Sequence, residues 1–289
     1  MPGILSRRRA VGRLATVLFT VMVGGPVGCV GGGDPSPPGA GGQGEALLVF
    51  AAASLADVIR ELADAFTVAE GVAVELNLAG SNALARQVLA AEGPDVFLSA
   101  DRSWMDHVEE EGRLLPGTRS DVFSNRLVLV ARLDSAVAIG AVEDLATARF
   151  RHLSVADPEA VPAGRYASAY LSAISDPTSE GNDLWSRLLP KLVPALDTRA
   201  ALALVASDPE IVGIVYRTDA LASERVRILA EVPALAGIPI VYAGAALRGA
   251  RNEAGARRFL AFLDSDEGSA ISRRHGFLPF ELPMAVAAP

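Results

Sequence analysis

The sequence predicts an α/β protein of two lobes, each a mostly parallel sheet flanked by helices, with a ligand held in the cleft between them. Three observations lead there. From Ala46 onward, short β-rich runs alternate with amphipathic helical stretches, the pattern of βαβ units with right-handed crossovers. Several strand-to-helix junctions place small residues and a hydroxyl at the helix start, where backbone N–H groups have no partner within the helix. The 289 residues are 51% hydrophobic and 21% charged, a soluble composition with enough chain for two ordinary lobes around a real core.

The N-terminal stretch is set apart from the fold. Arg7, Arg8, Arg9 and Arg13 precede an apolar run from Leu14 to Val23, too short to span a bilayer and laid out as a secretory signal over residues 1–28. Ser6-Arg7-Arg8 also hints at a twin-arginine signal. Cys29, the single cysteine, has no internal disulfide partner and opens a Gly- and Pro-rich linker over residues 29–45, expected to be flexible. The formal net charge is −8, and more negative still without those four arginines. Nucleic acid is therefore an unsuitable partner, and any anion must be bound by local geometry.

The first block reads as a strand at Leu47–Phe50, a helix at Ala56–Ala69 and a strand at Val72–Leu78. A helix at Ala83–Ala91, a strand at Val96–Ser99 and a helix at Ser103–Glu111 follow. Val58, Ile59, Leu62, Ala65 and Phe66 share one face of the first helix, and Gly71 is placed to end it. The second block holds strands at Leu127–Ala131 and Leu153–Ala156, a helix opening near Ala163, a helix at Arg199–Ala206, and strands at Ile211–Tyr216 and Val226–Leu229. A strand at Ile238–Ala243 leads back to the first block, and helical patterns at Glu253–Leu263 and Glu267–His275 close the chain. The expected division is 46–126 with 243–289 for one lobe and 127–242 for the other. A ligand between them would meet the carboxyl ends of the strands.

Four junctions have the character of an anion site. Ser54 follows Ala51-Ala52-Ala53, and Ser81 lies within Gly80-Ser81-Asn82. Val161-Pro162-Ala163-Gly164 starts a helix with proline and two small residues, and Asp197-Thr198-Arg199-Ala200 opens the next. Helix N-termini attract anions through free N–H groups and the peptide dipoles. Any one of them alone reads as well as an ordinary cap.

In order along the chain, these segments resemble the molybdate-binding proteins of bacterial ABC importers. The likeness rests on Phe50-Ala51-Ala52-Ala53-Ser54-Leu55, Leu84-Ala85-Arg86-Gln87, the run Pro94-Asp95-Val96-Phe97-Leu98-Ser99-Ala100-Asp101, and Trp104-Met105-Asp106. It continues through Asp157-Pro158-Glu159, Val161-Pro162-Ala163-Gly164, Ala201-Leu202-Ala203-Leu204-Val205 and Gly213-Ile214-Val215-Tyr216, and so covers residues 46–277. The resemblance implies a type II periplasmic binding protein that captures molybdate or tungstate, hands it to membrane permease subunits, and performs no covalent chemistry. It implies donors from Ser54, Ser81, Ala163, Thr198 and Tyr216, no further cofactor or metal ligand, and a monomer outside the cytoplasm. It also makes Cys29 a lipid-anchor site, although Pro26 departs from the aliphatic residue expected there. Thr198 stands where the family has valine, so its N–H is the expected contact while its hydroxyl either caps the helix or joins the site. Tyr216 is either a donor to the ion or a core-edge tyrosine.

Rival readings rest on less. A serine hydrolase would set Ser54 in Gly-x-Ser-x-Gly with a histidine and an acid, yet alanines flank it, and His107, His152 and His275 fall on element edges. No His, Cys or carboxylate cluster has metal-ligand spacing. The closest alternative is a receptor of the same fold for sulfate, phosphate or a small organic anion.

Overall fold

The computed structural model describes residues 45–279 except residue 92, so the signal segment, Cys29 and most of the linker lie outside the described residues. The chain begins with β1 (Leu47–Ala52), α1 (Ala56–Glu70), β2 (Val74–Ala79), α2 (Ser81–Ala90), β3 (Val96–Ser99), α3 (Arg102–Glu110) and β4 (Ser120–Ser124). It continues with β5 (Leu127–Arg132), β6 (His152–Ala156), α4 (Pro162–Ser172), α5 (Leu184–Leu188), β7 (Leu192–Ala195), α6 (Thr198–Ser207), β8 (Ile211–Tyr216), α7 (Arg217–Leu221) and β9 (Val226–Glu231). It ends with β10 (Val241–Ala246), α8 (Glu253–Leu263), α9 (Asp266–Arg274) and β11 (Leu278–Pro279).

Two sheets result, ordered β11-β4-β10-β3-β1-β2 and β7-β6-β8-β5-β9. Each has an expected parallel part at one side, β2-β1-β3 in one and β7-β6-β8 in the other. Each is then extended by antiparallel strands, so the sheets are mixed where the alternation alone pointed to mostly parallel ones. The direction of two strands explains this. β5 and β10 each enter their sheet directly from a passage between the sheets, through 125–126 and 232–240, without a crossover helix. They therefore run against β8 and β3, whose carboxyl ends face the passage.

The first helix follows its pattern. Val58, Ile59, Leu62 and Phe66 are buried, each worth about 1.5–3 kcal/mol in apolar area removed from water. The Phe66 ring meets Phe259 of α8 edge-on at 5.1 Å. Gly71 ends α1 at φ 68°, a left-handed conformation that glycine adopts without steric cost. Three strands were not legible in the pattern. β7 carries Pro194 and lies at a sheet edge, the position where a missing N–H is tolerated. β4 (Ser-Asp-Val-Phe-Ser) and the two-residue β11 are too short or too polar to show a period.

Packing places the start of α4 against the end of β6. A Cβ at Gly164 would lie 2.1 Å from the Ala156 carbonyl oxygen and 2.7 Å from backbone atoms of Asp157, so only glycine lets this helix start so close to the strand. Gly164→Ala must push the helix outward. We expect it to cost about 1–3 kcal/mol, the usual range for overpacking, read as a lower urea midpoint with an unchanged slope.

Candidate functional site

The five predicted residues come together. Ser54, Ser81, Ala163, Thr198 and Tyr216 line one small pocket between the two sheets, and all five are buried. Each lies at or just beyond the carboxyl end of a strand: Ser54 after β1, Ser81 after β2, Ala163 after β6, Thr198 after β7, and Tyr216 as the last residue of β8. The first two belong to one sheet and the last three to the other, so the pocket is built from both halves of the molecule.

The local geometry turns these positions into donors. Ser54 sits in the single 3₁₀ turn Ala53–Leu55 that leads into α1. Ser81 and Thr198 are the first residues of α2 and α6, and Ala163 is the second residue of α4 behind Pro162. First-turn N–H groups have no acceptor within their own helix, and proline at the first position loses nothing there. The Ser54 hydroxyl accepts from the Tyr242 hydroxyl at 3.2 Å. The Ser81 hydroxyl accepts from the Ala100 N–H at 3.0 Å. Each accepts one hydrogen bond from the protein, which uses one of its two lone pairs and leaves its own proton to donate.

Tyr216 lies where both expectations place it, at the core edge and on the pocket. It lies in the core edge, on the central strand of its sheet, with its ring 5.6 Å from that of Tyr242. Its hydroxyl is buried and has no hydrogen-bond partner among the described residues. Burial, reinforced by Tyr242 and Tyr166, holds its pKa well above the ordinary tyrosine value, so the phenol stays a neutral O–H donor. A buried polar group left unmade costs about 1–3 kcal/mol, and a ligand that accepts from it removes that cost.

Thr198 is not the helix cap. Asp197 takes that role, with Oδ1 accepting from the Ala200 N–H at 2.8 Å. Thr198 itself lines the pocket. Asp197 is the one charged residue that lines the pocket among those described. No lysine, arginine or histidine does, and the Asp197 carboxylate is engaged by the Ala200 N–H, so the remaining lining offers neutral donors suited to a small acceptor-only anion.

Several contributors were not foreseen. Tyr242 of β10 and Asn125, in the passage between the sheets, stand behind Ser54; they lie 188 and 71 positions away from it, and no local pattern links them. Several contacts join the halves around the pocket. Arg199 of α6 meets Asp57 of α1 at 2.5 Å, the Trp104 indole donates to the Ala160 carbonyl at 2.9 Å, and Arg165 approaches Asp101 at 3.5 Å. Arg199 also lies 2.5 Å from Asp219, a fully buried carboxyl that desolvation pushes up to about 7 against the pull of Arg199. None of the three histidines lines this pocket; His275 lines a neighbouring pocket that Ser54 also borders, and it pairs with Glu61 at 2.6 Å.

A model of the family described as bacterial extracellular solute-binding protein matches residues 47–278. The chain belongs to this family. Among bacterial extracellular solute-binding proteins it is 35% identical over 235 residues to the molybdate-binding protein ModA of Escherichia coli, covering 80% of this chain and 88% of that protein. It is equally identical to the molybdate-binding protein ModA of Haemophilus influenzae, covering 80% and 89%. The periplasmic molybdate-binding protein of Azotobacter vinelandii aligns with TM-score 0.70, 21% identity and coverage of 81% and 100%. The sulfate-binding protein SubI of Mycobacterium tuberculosis aligns with TM-score 0.72, 16% identity and coverage of 82% and 88%. At those identities the likeness to the two solved structures is one of fold.

The cap assignment is testable by stability alone. Asp197→Ala should cost about 1 kcal/mol, the usual value of an N-cap, whereas Thr198→Val should change the urea midpoint far less. Equal losses from the two would show that Thr198 shares the cap.

Proposed function

We propose that the protein is an extracytoplasmic receptor that closes two lobes on molybdate or tungstate and delivers the ion to the membrane subunits of an ABC importer. The lobes are taken as 46–126 with 243–289 and as 127–242. The observation that carries the reading is the convergence of five neutral donor positions, the unpartnered Tyr216 hydroxyl among them, on one pocket without a cationic side chain. A tetrahedral oxyanion dianion has only acceptors, and hydrogen bonds to an ionised group are about twice as strong as neutral ones. Neutral donors in a water-excluding cleft can therefore hold it without an ion pair. The relatives named as molybdate-binding at 35% identity support the choice of metal oxyanion. Molybdate and tungstate share charge and shape and differ little in size, so one cavity serves both, while the smaller sulfate leaves donors out of reach. Export through the N-terminal segment, a lipid anchor on Cys29 and a monomeric state complete the proposal. The hinge closure it requires is a common response of two-lobed folds to ligand.

Thermal unfolding with molybdate, tungstate, sulfate, phosphate and buffer tests this. A ligand at 100 times its Kd adds about 2.7 kcal/mol, so molybdate and tungstate at that level should raise the midpoint by several degrees, and sulfate and phosphate at the same concentration, where they bind too weakly, should not. An equal shift with sulfate or phosphate would overturn the assignment. Calorimetric titration of Thr198→Val separates its two groups. Affinity within a few-fold of wild type means that the N–H alone binds, and a loss near 1.5–3 kcal/mol, the value of a hydrogen bond to a charged group, means that the hydroxyl also contacts the ion.

A further inference from the structure

We propose that Asn125 and Tyr242 are positioning residues that lock the Ser54 hydroxyl as a donor into the pocket, so that this corner of the site selects an oxygen carrying no proton. The inference rests on the oxyanion reading above and adds to it two residues that do not line the pocket.

The chain of hydrogen bonds has one direction, fixed at its far end by the backbone. The Arg126 N–H donates to Asn125 Oδ1 at 2.8 Å. A backbone N–H can only donate, so the amide oxygen must face it, which fixes the orientation of the Asn125 amide. The amide nitrogen then donates to Thr218 Oγ1 at 2.9 Å and to Tyr242 Oη at 3.2 Å, using both of its protons. Tyr242 is fully buried, and Ser54 Oγ, at 3.2 Å, is the acceptor left for its phenolic proton. Leaving that proton unpaired would cost about as much as any buried unmade bond. Ser54 thus receives a hydrogen bond from behind, and its own proton has the pocket to go to.

The consequence is selectivity by protonation. An oxygen with free lone pairs completes the chain, whereas a protonated oxygen placed there meets the Ser54 proton head-on or turns it away from the pocket and leaves it unpaired. Molybdate at neutral pH carries no proton, whereas hydrogen phosphate carries one. The Tyr242 ring also packs on Tyr216 and Phe277, so Tyr242→Phe keeps the packing and removes the hydroxyl alone.

The test is calorimetric titration of wild type, Tyr242→Phe, Asn125→Asp, Ser54→Ala and the Ser54→Ala/Tyr242→Phe double variant with molybdate and with phosphate at pH 8. Thermal midpoints serve as the folding control. Tyr242→Phe should weaken molybdate about tenfold and phosphate less than twofold, narrowing the preference. Asn125→Asp replaces the donor with an acceptor and reverses the chain, so it should weaken molybdate at least as much. In the Ser54→Ala background the Tyr242→Phe effect should vanish, because Tyr242 acts through Ser54. Equal weakening of both ions, no weakening of molybdate, or an undiminished effect in the double variant would overturn the proposal. If wild type binds sulfate in place of molybdate, the metal assignment fails while the relay is still measured by the same cycle with sulfate. If no oxyanion binds, both fall.

Discussion

A doubly charged oxyanion taken out of water must have its oxygens met by donors, and this constraint organises the molecule around the pocket. Backbone N–H groups are the donors every chain carries, but most are consumed in helices and sheets. The first turn of a helix is where they remain free. Strands of both sheets end at one place and feed helices there, so free N–H groups from separate segments converge. Glycine and alanine at the junctions keep side chains out of the way, most sharply at Gly164, where no Cβ fits.

The same constraint explains why the arginines stand near the pocket without lining it. Arg199 adjoins Thr198 in sequence, yet its side chain turns to Asp57 and Asp219. Arg165 turns to Asp101 and Ser103. Each arginine is tied to a carboxylate, and the contacts to Asp57 and Asp101 cross from one sheet's elements to the other's. The ion pairs therefore act on the approach of the lobes while the ligand sees neutral dipoles.

Much of this was legible in the sequence because it is local. The face of α1 showed in the spacing of Val58, Ile59, Leu62 and Phe66, its end in Gly71, and the donor junctions in short motifs around Ser54, Ser81, Ala163 and Thr198. What was hidden depends on partners far apart in the chain. Strand direction at β5 and β10 follows from where the chain passes between sheets, which periodicity does not encode. The cap at Asp197 was hidden for a different reason, since aspartate and threonine stand side by side and either could take the role until the backbone angles are known. Tyr242 could not be tied to Ser54 across 188 positions, nor Arg199 to Asp57 across 142.

The central claim is that a dianion is held between the lobes by neutral donors alone. A crystal structure of the protein with molybdate tests it most directly. The account predicts the ion in the pocket, with hydrogen-bond contacts from Ser54, Ser81, Ala163, Thr198 and Tyr216 and no arginine, lysine or histidine side chain touching it. An ion bound against Arg199 or Arg165, or one that leaves the Tyr216 hydroxyl unpartnered, would contradict it.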